Sequence, residues 1–449
     1  MMKTAQDTIQ EAYLSDWTGT RYGAPFRLER PGNTAQVAAI LRDANRSRTP
    51  CVIQGGRTGV SGGAAPGDGE TIIALERLNA IEEIDPIAGI AVVQAGVVLQ
   101  TLQEEAEALG WTFPIDLGSR GSCQLGGNAA TNAGGCRVVK YGNTRESVLG
   151  IEAVMANGDV IGPPNRLVKN NAGYSLSSLL IGSEGTLGVI TRLALRLVPV
   201  VPVRRTMLLA LSPEVDTAAL LGAAKHSLRE SLSAFEVMWP DFVDAATQHR
   251  SHGRRLPDSF KGLRAALLEV EGVDEQSVQA LLETFIERQI EQRSIVDAII
   301  SVSSQDAASL WALRESVGEI QSTMRPYAGF DLGMPARGHD AFVAAAKALL
   351  ARELPHCRSC FFGHIGDDNL HALVGPCHTD VDRHLVERLL FELLPAGQGT
   401  VTAEHGVGRK RKAYLGRSRS ETDIATMKAI KSVLDPNRIL NRGRIFDLP

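Results

Sequence analysis

The residues best equipped for chemistry in this chain are two histidines flanking a tight turn and a later Glu-His dipeptide. Gly363-His364-Ile365-Gly366-Asp367-Asp368-Asn369-Leu370-His371 reads as strand, turn, strand, with turn-forming residues at 366–369. A four-residue loop would pair Ile365 with Leu370 and so His364 with His371. Directly opposed residues have β-carbons about 5 Å apart. Two imidazoles at that separation can share one ion through metal–nitrogen bonds of about 2.0–2.1 Å. Against this stands the ordinary structural role of a histidine on a strand. Downstream, Thr402-Ala403-Glu404-His405-Gly406-Val407-Gly408 offers a carboxylate beside an imidazole. Glu404 could complete a two-histidine, one-carboxylate set with open positions for substrate. His405 could then act as a base, since its unperturbed pKa is near neutrality. The plain alternative is a polar surface loop entering a helix.

A second chemistry is written in glycine. Gly55-Gly56-Arg57-Thr58-Gly59-Val60-Ser61-Gly62-Gly63 follows a short strand and carries five glycines in nine residues. Glycine lets a backbone approach a ligand closely and aim successive amides at phosphate oxygens. An ordinary flexible turn is the competing reading. Pro114-Ile115-Asp116-Leu117-Gly118-Ser119, leading to Gly126-Gly127-Asn128-Ala129 and on to Gly135, is a second such loop. Gly182-Ser183-Glu184-Gly185-Thr186-Leu187-Gly188-Val189-Ile190-Thr191 is a third. No G-x-G-x-x-G occurs and no long helix opens straight after the first loop, which excludes a Rossmann fingerprint. Three loops in one half suggest a long ligand with many backbone contacts.

Together these segments resemble the FAD-binding domain of the vanillyl-alcohol-oxidase superfamily. The branch resembled is the D-lactate, D-2-hydroxyglutarate dehydrogenase and glycolate oxidase flavin-subunit group, over nearly the whole chain from about residue 30. The resemblance implies that Gly55, Gly56, Arg57, Thr58, Gly59 and Gly63 hold the FAD diphosphate. It implies that Pro114, Asp116, Gly118, Ser119, Ser122, Gly126, Gly127, Ala129, Gly135 and Glu184 line the cofactor. Gly188, Val189 and Ile190 would meet its adenine side, and Asn441 would lie near the flavin. The first loop has no histidine, so the FAD is expected to be noncovalent. The same relatives bind zinc or a similar divalent metal through the residues matching His364, His371 and Glu404; zinc is favoured and manganese is the other candidate.

The implied reaction is oxidation of a D-2-hydroxy acid to the 2-oxo acid, with hydride passing to the flavin. His405 would take the hydroxyl proton. Arg314 matches an arginine that grips the substrate carboxylate, a task its planar fork suits; its bland reading is a solvated helix residue. The chain departs from the hydroxyglutarate enzymes at three places. Gly329 stands where a lysine grips the distal carboxylate, Gly318 where a threonine stands, and Leu373 where an asparagine stands. These losses favour a D-lactate-like or apolar acid, although Arg325 could compensate. An electron acceptor other than oxygen is favoured, a quinone, an electron-transfer flavoprotein or a cytochrome, with an oxidase that passes electrons to oxygen as the first alternative; a homodimer is compatible. The alternative is a flavin-bearing subunit of a multi-chain electron-transfer complex.

Positioning these residues takes an α+β fold. The expected architecture is a flavin-binding domain over 1–200 (core 30–198), a substrate domain with an antiparallel sheet over 201–395, and a helical C-terminal segment over 396–449 that returns to the flavin. Pro199 and Pro202 mark the first boundary. Helices are expected at 33–49 with Thr34 as cap, at 97–109, 213–230, 274–290, 306–325 and 421–434. Strands are expected at 71–75, 90–94, 148–155, 189–198, 206–211, 235–238, 266–270 and 295–302. Residues 113–147 read as a long irregular and therefore functional stretch.

Composition narrows the class. At 449 residues the chain exceeds one ordinary core. Its net charge of −4 argues against general nucleic-acid binding. No apolar run of about 18 residues suggests a membrane span, and the start, Met1 to Asp7, lacks the apolar segment of a secretory signal. Six cysteines at this density read as thiols in a reducing, cytoplasmic setting, and the Cys357–Cys360 C-x-x-C, with no second pair and no redox-type helix after it, reads as structural.

Overall fold

The computed structural model describes residues 9–248 and 255–448; the stretch from Met1 to Asp7 lies outside them. The first expected helix forms as Thr34–Ser47. Its cap is Asn33, whose side chain accepts from the Gln36 N–H at 2.9 Å. Thr34, the expected cap, instead donates its hydroxyl to Glu152 at 2.6 Å. Val37 and Leu41, one turn apart on the apolar stripe, are fully buried.

The chain divides into two compact units. The first comprises the residues up to Gly135, Gly142–Val200 and the residues from Glu404 on. It contains a parallel sheet in the order Arg27–Glu29, Thr71–Ala74, Cys51–Gln54. A five-stranded antiparallel sheet runs Ile81–Asp85, Ile90–Gln94, Val189–Arg196, Val148–Val154, Val160–Ile161. Val93, Leu193 and Leu102 fill the core of this unit together with Val37 and Leu41. The chain end is stitched to the parallel sheet, with Cys51 N–H donating to Ile439 O (2.6 Å) and Asn441 N–H to Cys51 O (2.9 Å).

The irregular stretch expected over 113–147 is only partly so, because three short helices form in it: Leu125–Thr131, Val138–Tyr141 and Thr144–Ser147. The first has no side-chain cap at Gln124, so no local start signal marks it. It is pinned by tertiary bonds instead, from Leu125 N–H to Val97 O and from Gly126 N–H to Ala95 O.

The second unit comprises Cys136–Tyr141 and Val201–Ala403. Its seven-stranded sheet runs Ile295–Ile300, Val203–Leu211, Ala265–Gly272, Leu232–Met238, Arg358–Gly363, Asn369–Gly375, Ala328–Gly333. Every neighbouring pair is antiparallel. Residues 136–141 join this unit through two buried carboxylates: Arg137 bonds Glu269, while Lys140 and Tyr141 bond Glu271 at 2.6 Å each. The helix expected over 306–325 is two helices, Ser304–Arg314 and Val317–Thr323. Ser316 interrupts it, returning its hydroxyl to Ala312 O (2.8 Å) at ψ 18°. The break leaves Arg314 in the last turn of the first helix.

No helix among the described residues is long and apolar enough to cross a membrane. No disulfide joins the cysteines. The C-x-x-C thiols point to different partners: Cys357 Sγ to Pro376 O and Cys360 Sγ to Asp241 O.

Candidate functional site

In the second unit the two histidines meet, but not as cross-strand partners. The observed register pairs His371 with Phe362. His364 has already left its strand and opens a 3-10 turn over Ile365–Asp367, closed by Asp368 in the left-handed region at φ 70°. A tight turn at this point suits Gly363, where a β-carbon would meet Asn369 O at 2.3 Å. The two imidazoles still approach, with ring centres 5.3 Å apart and planes at 83°.

His364 is anchored from behind. Its Nδ1 lies 2.6 Å from Glu236 Oε1, and Glu236 Oε2 accepts from Arg314 Nε at 2.7 Å. Burial pushes the Glu236 carboxyl up, but the adjacent His364 and Arg314 charges outweigh it and hold it below the usual carboxylate range. The Arg314 guanidinium also stacks on Phe362 at 4.7 Å from the ring centre. Phe362 in turn lies 5.1 Å from His371. Arg314 is therefore a buried, oriented cation rather than a solvated helix residue. Glu236 had no motif to announce it. The signal available was a carboxylate inside an apolar strand run, Phe235-Glu236-Val237.

Glu404 is carried to this place by its neighbours in sequence. Residues 400–403 run as an added edge beside the strand Ala328–Gly333. Gly333 and Thr400 exchange both backbone bonds, at 3.0 and 2.8 Å. Buried Asp331 accepts from the Thr402 hydroxyl (2.8 Å) and the Ala403 N–H (3.2 Å). Glu404 follows on the next peptide bond. His364, His371 and Glu404 each offer a ligand atom, all within 4.8 Å of one another. The donor set suits zinc: two nitrogens and one oxygen with open positions. Bonds of about 2.0–2.2 Å would bring such atoms to roughly 3.4 Å, so adjustments of about an ångström complete the fit.

In the first unit the glycines of the three loops separate into two kinds. Gly56, Gly126 and Gly135 are closed against backbone or a neighbouring side chain. A β-carbon there would meet Ser122 O at 2.1 Å, Ala95 Cβ at 2.5 Å and Asp116 O at 1.7 Å respectively. Gly59, Gly118 and Gly127 face open space, with nothing within 4 Å, and the nearest atom to a β-carbon on Gly63 is 3.7 Å away. The closed glycines draw the loops together; the open ones leave room for a ligand to lie against backbone. Gly55 abuts Gly127, so loops one and two share a wall. Beside them the buried Gln124 Oε1 has no hydrogen-bond partner among the described residues. That orphaned acceptor and the open glycines fit a bound dinucleotide. Arg57 takes φ 60° and stacks on Tyr13. Pro114 lies in the irregular strand-to-loop passage; Asp116 pairs with Arg120 at 2.8 Å. Ser119 O accepts from Ser122 and Cys123 N–H, closing the turn ahead of the short helix. Ala129 O accepts from Gly182 N–H (2.9 Å), joining loop two to loop three. Gly188 abuts Leu180, and Val189 and Ile190 are buried in a strand.

Two residues expected at the cofactor also tie segments of this unit together. Asn441 accepts from Ile53 N–H (2.9 Å) and donates to Glu184 O (2.6 Å). Glu184 accepts from Val407 N–H (2.7 Å) and Gly408 N–H (2.8 Å), fixing the loop that carries His405. Burial raises the Glu184 carboxyl against those two donors. His405 Nε2 lies 3.7 Å from Glu404 Oε1 with its side chain 36% exposed. Arg444, absent from the sequence expectations, is fully buried. It pairs with Glu70 and donates to Gly63 O (3.1 Å) and Ala65 O (2.6 Å), bracing the first glycine loop.

Residues 26–162 match the model of an FAD binding domain, and residues 201–445 that of the FAD linked oxidases, C-terminal domain. A D-2-hydroxyglutarate dehydrogenase of Xanthomonas citri pv. viticola is 39% identical over 97% of this chain and 92% of its own length. One of Stutzerimonas stutzeri is 38% identical over 97% of this chain and 94% of its own length. Among solved structures, p-cresol methylhydroxylase superposes with a TM-score of 0.72 at 18% identity, over 95% of this chain and 90% of that one. Alkyldihydroxyacetonephosphate synthase gives 0.69 at 17% identity, over 92% and 76%. At these identities the solved structures speak to the fold.

Proposed function

The chain belongs to the FAD-linked oxidases, flavin-dependent oxidoreductases, and from that premise we propose that it oxidises a D-2-hydroxy acid to the 2-oxo acid with the help of a divalent cation. The observation that carries the metal reading is the convergence of His364, His371 and Glu404. Zinc fits the donor set first and manganese second. When bound, the cation supplies Lewis acidity toward the hydroxyl and the flavin supplies a hydride acceptor.

The chain's own residues do the rest. Arg314 grips the substrate carboxylate. Its Nε is spent on Glu236, which leaves the two terminal nitrogens as a bidentate edge. His405 receives the hydroxyl proton, its partial exposure giving that proton a route to solvent. Among the glycines, the open positions Gly59, Gly118 and Gly127 would let FAD lie against the loop backbone, and Gly56, Gly126 and Gly135 would shape the cradle.

The relatives' names suggest a dicarboxylate, but the distal residues of this chain favour an apolar or short side chain. Leu373 lies two residues from His371 on the same face of its strand, buried among Phe362, Cys360 and Met324. Gly329 pairs opposite it and offers no charge, and Arg325 is exposed. An unpaired distal carboxylate there would lose about 1–3 kcal/mol. The test is bleaching of the flavin absorbance by a panel of D-2-hydroxy acids, on protein stripped with a chelator and on protein reloaded with zinc or manganese. The proposal expects bleaching by D-lactate or its longer apolar homologues only after reloading. Full-rate bleaching of stripped protein removes the metal role, and no bleaching by any D-2-hydroxy acid removes the substrate class.

A further inference from the structure

Glu236 is engaged by both halves of the substrate-binding apparatus at once. It sits mid-strand in the seven-stranded sheet, with its side chain fully buried between Phe235 and Val237, which are buried too. One oxygen meets His364 Nδ1 at 2.6 Å and the other meets Arg314 Nε at 2.7 Å. Resting on the metal and carboxylate roles given to His364 and Arg314 above, we infer that Glu236 is a positioning residue that sets the spacing between the cation and the carboxylate clamp.

A carboxylate oxygen at 2.6 Å calls for a hydrogen on His364 Nδ1, so Nε2 carries the lone pair that a metal ligand needs. Histidines that bind metals depend on such a partner for tautomer and ring orientation. The other oxygen takes Arg314 Nε, and the terminal guanidinium nitrogens keep no protein partner among the described residues. The Phe362 ring fixes the plane of that guanidinium. One rigid carboxyl group thus holds the two groups that would grip a 2-hydroxy acid by its hydroxyl and its carboxylate, which are adjacent in every such acid. A carboxylate that merely neutralised a buried arginine would have no reason to divide its oxygens in this way, and metal affinity would not depend on it.

Glu236→Gln and Glu236→Asp separate the two roles. The amide presents NH₂ to one of its two donors, and the aspartate, a methylene shorter, cannot span both. Flavin spectrum and melting temperature of the full-length protein establish that each variant folds. Zinc affinity is read by competition with a chromophoric chelator, and KM and kcat are read on the acid that bleaches the wild type. Zinc affinity is expected to fall about 10–100-fold in Glu236→Gln, with KM for the acid rising by a comparable factor. Glu236→Asp should move both in the same direction by less, and it decides alone if Glu236→Gln does not fold. Zinc affinity within about threefold of wild type in a folded variant, or a loss of zinc affinity with KM unmoved, overturns the inference while leaving the proposed reaction standing. A wild type that binds no divalent ion removes the metal reading and this inference together.

Discussion

Gly329 gives the sharpest test of the substrate assignment. It stands opposite Leu373 on the edge strand of the sheet, one residue pair of about 6.8 Å along from His371. A β-carbon there would approach nothing closer than Tyr327 Cε2 at 3.5 Å and Leu373 Cδ2 at 3.7 Å. Gly329→Lys therefore adds an ammonium on a flexible stem without repacking. Gly329 is exposed, which sets the strength of the new pair with a distal carboxylate at about 1 kcal/mol rather than ~3. That is about fivefold in kcat/KM. Adding Leu373→Asn at the buried position supplies a charge-assisted hydrogen bond of about 1.5–3 kcal/mol, or roughly 10–150-fold more. It also removes a packed leucine and lowers stability by about 2–4 kcal/mol. The assay is kcat/KM with an artificial dye acceptor for D-2-hydroxyglutarate against D-lactate and D-2-hydroxybutyrate. The wild type should favour the acids without a distal charge, and the single variant should raise only the dicarboxylate. A wild type about tenfold better on D-2-hydroxyglutarate, or a variant that moves all three acids equally, refutes the reasoning.

Three further outcomes are expected. His405→Asn should lower kcat by about 10²–10⁴ while leaving the flavin bound, read from turnover and the visible spectrum; near-normal turnover removes His405 as the base. Arg444→Met leaves buried Glu70 with only the longer Arg409 pair at 3.4 Å and frees the carbonyls of Gly63 and Ala65, so urea unfolding should show about 1–3 kcal/mol lost and gel filtration should strip the FAD. Burial pushes the Glu271 carboxyl up, yet bonds from Lys140 and Tyr141 hold it below its ordinary value of 4.5. Its contribution to stability is therefore fully present above about pH 4.5 and is lost as pH falls through the lower folded value. Glu271→Gln should flatten that acid limb of the urea midpoint, and an unchanged limb contradicts the assignment.

What the sequence made legible was whatever is encoded locally. The amphipathic stripe of Thr34–Ser47, the strand Ile90–Gln94 and the glycine loops announce themselves within a dozen residues. The metal candidates were legible by residue type but not by geometry. The turn after Gly363 is a 3-10 turn rather than a four-residue hairpin loop, so the register slid and His364 reached His371 from outside the ladder. The helix break at Ser316 depends on one hydroxyl choosing its own backbone, which periodicity does not reveal. Glu236 lies 128 residues from His364, and Arg444 lies 374 from Glu70. No local pattern links partners so far apart, and both had to be found as buried charges that burial alone would not tolerate.

The stitching of the chain end to the strand Cys51–Gln54 has a consequence for how the protein is made. Asn441 bonds Ile53, and Arg444 braces the loop at Gly63, so the glycine loops lack these braces until residues 441–444 have been synthesised. A ribosome synthesising this chain would hold an unfinished first unit while the whole of Val201–Ala403 emerged and folded. Synthesis of residues 441–444, rather than of the glycine loops, would then be the step that completes the braced loops. A substitution at Asn441 or Arg444 would be felt first in segments 388 and 381 residues earlier in the sequence.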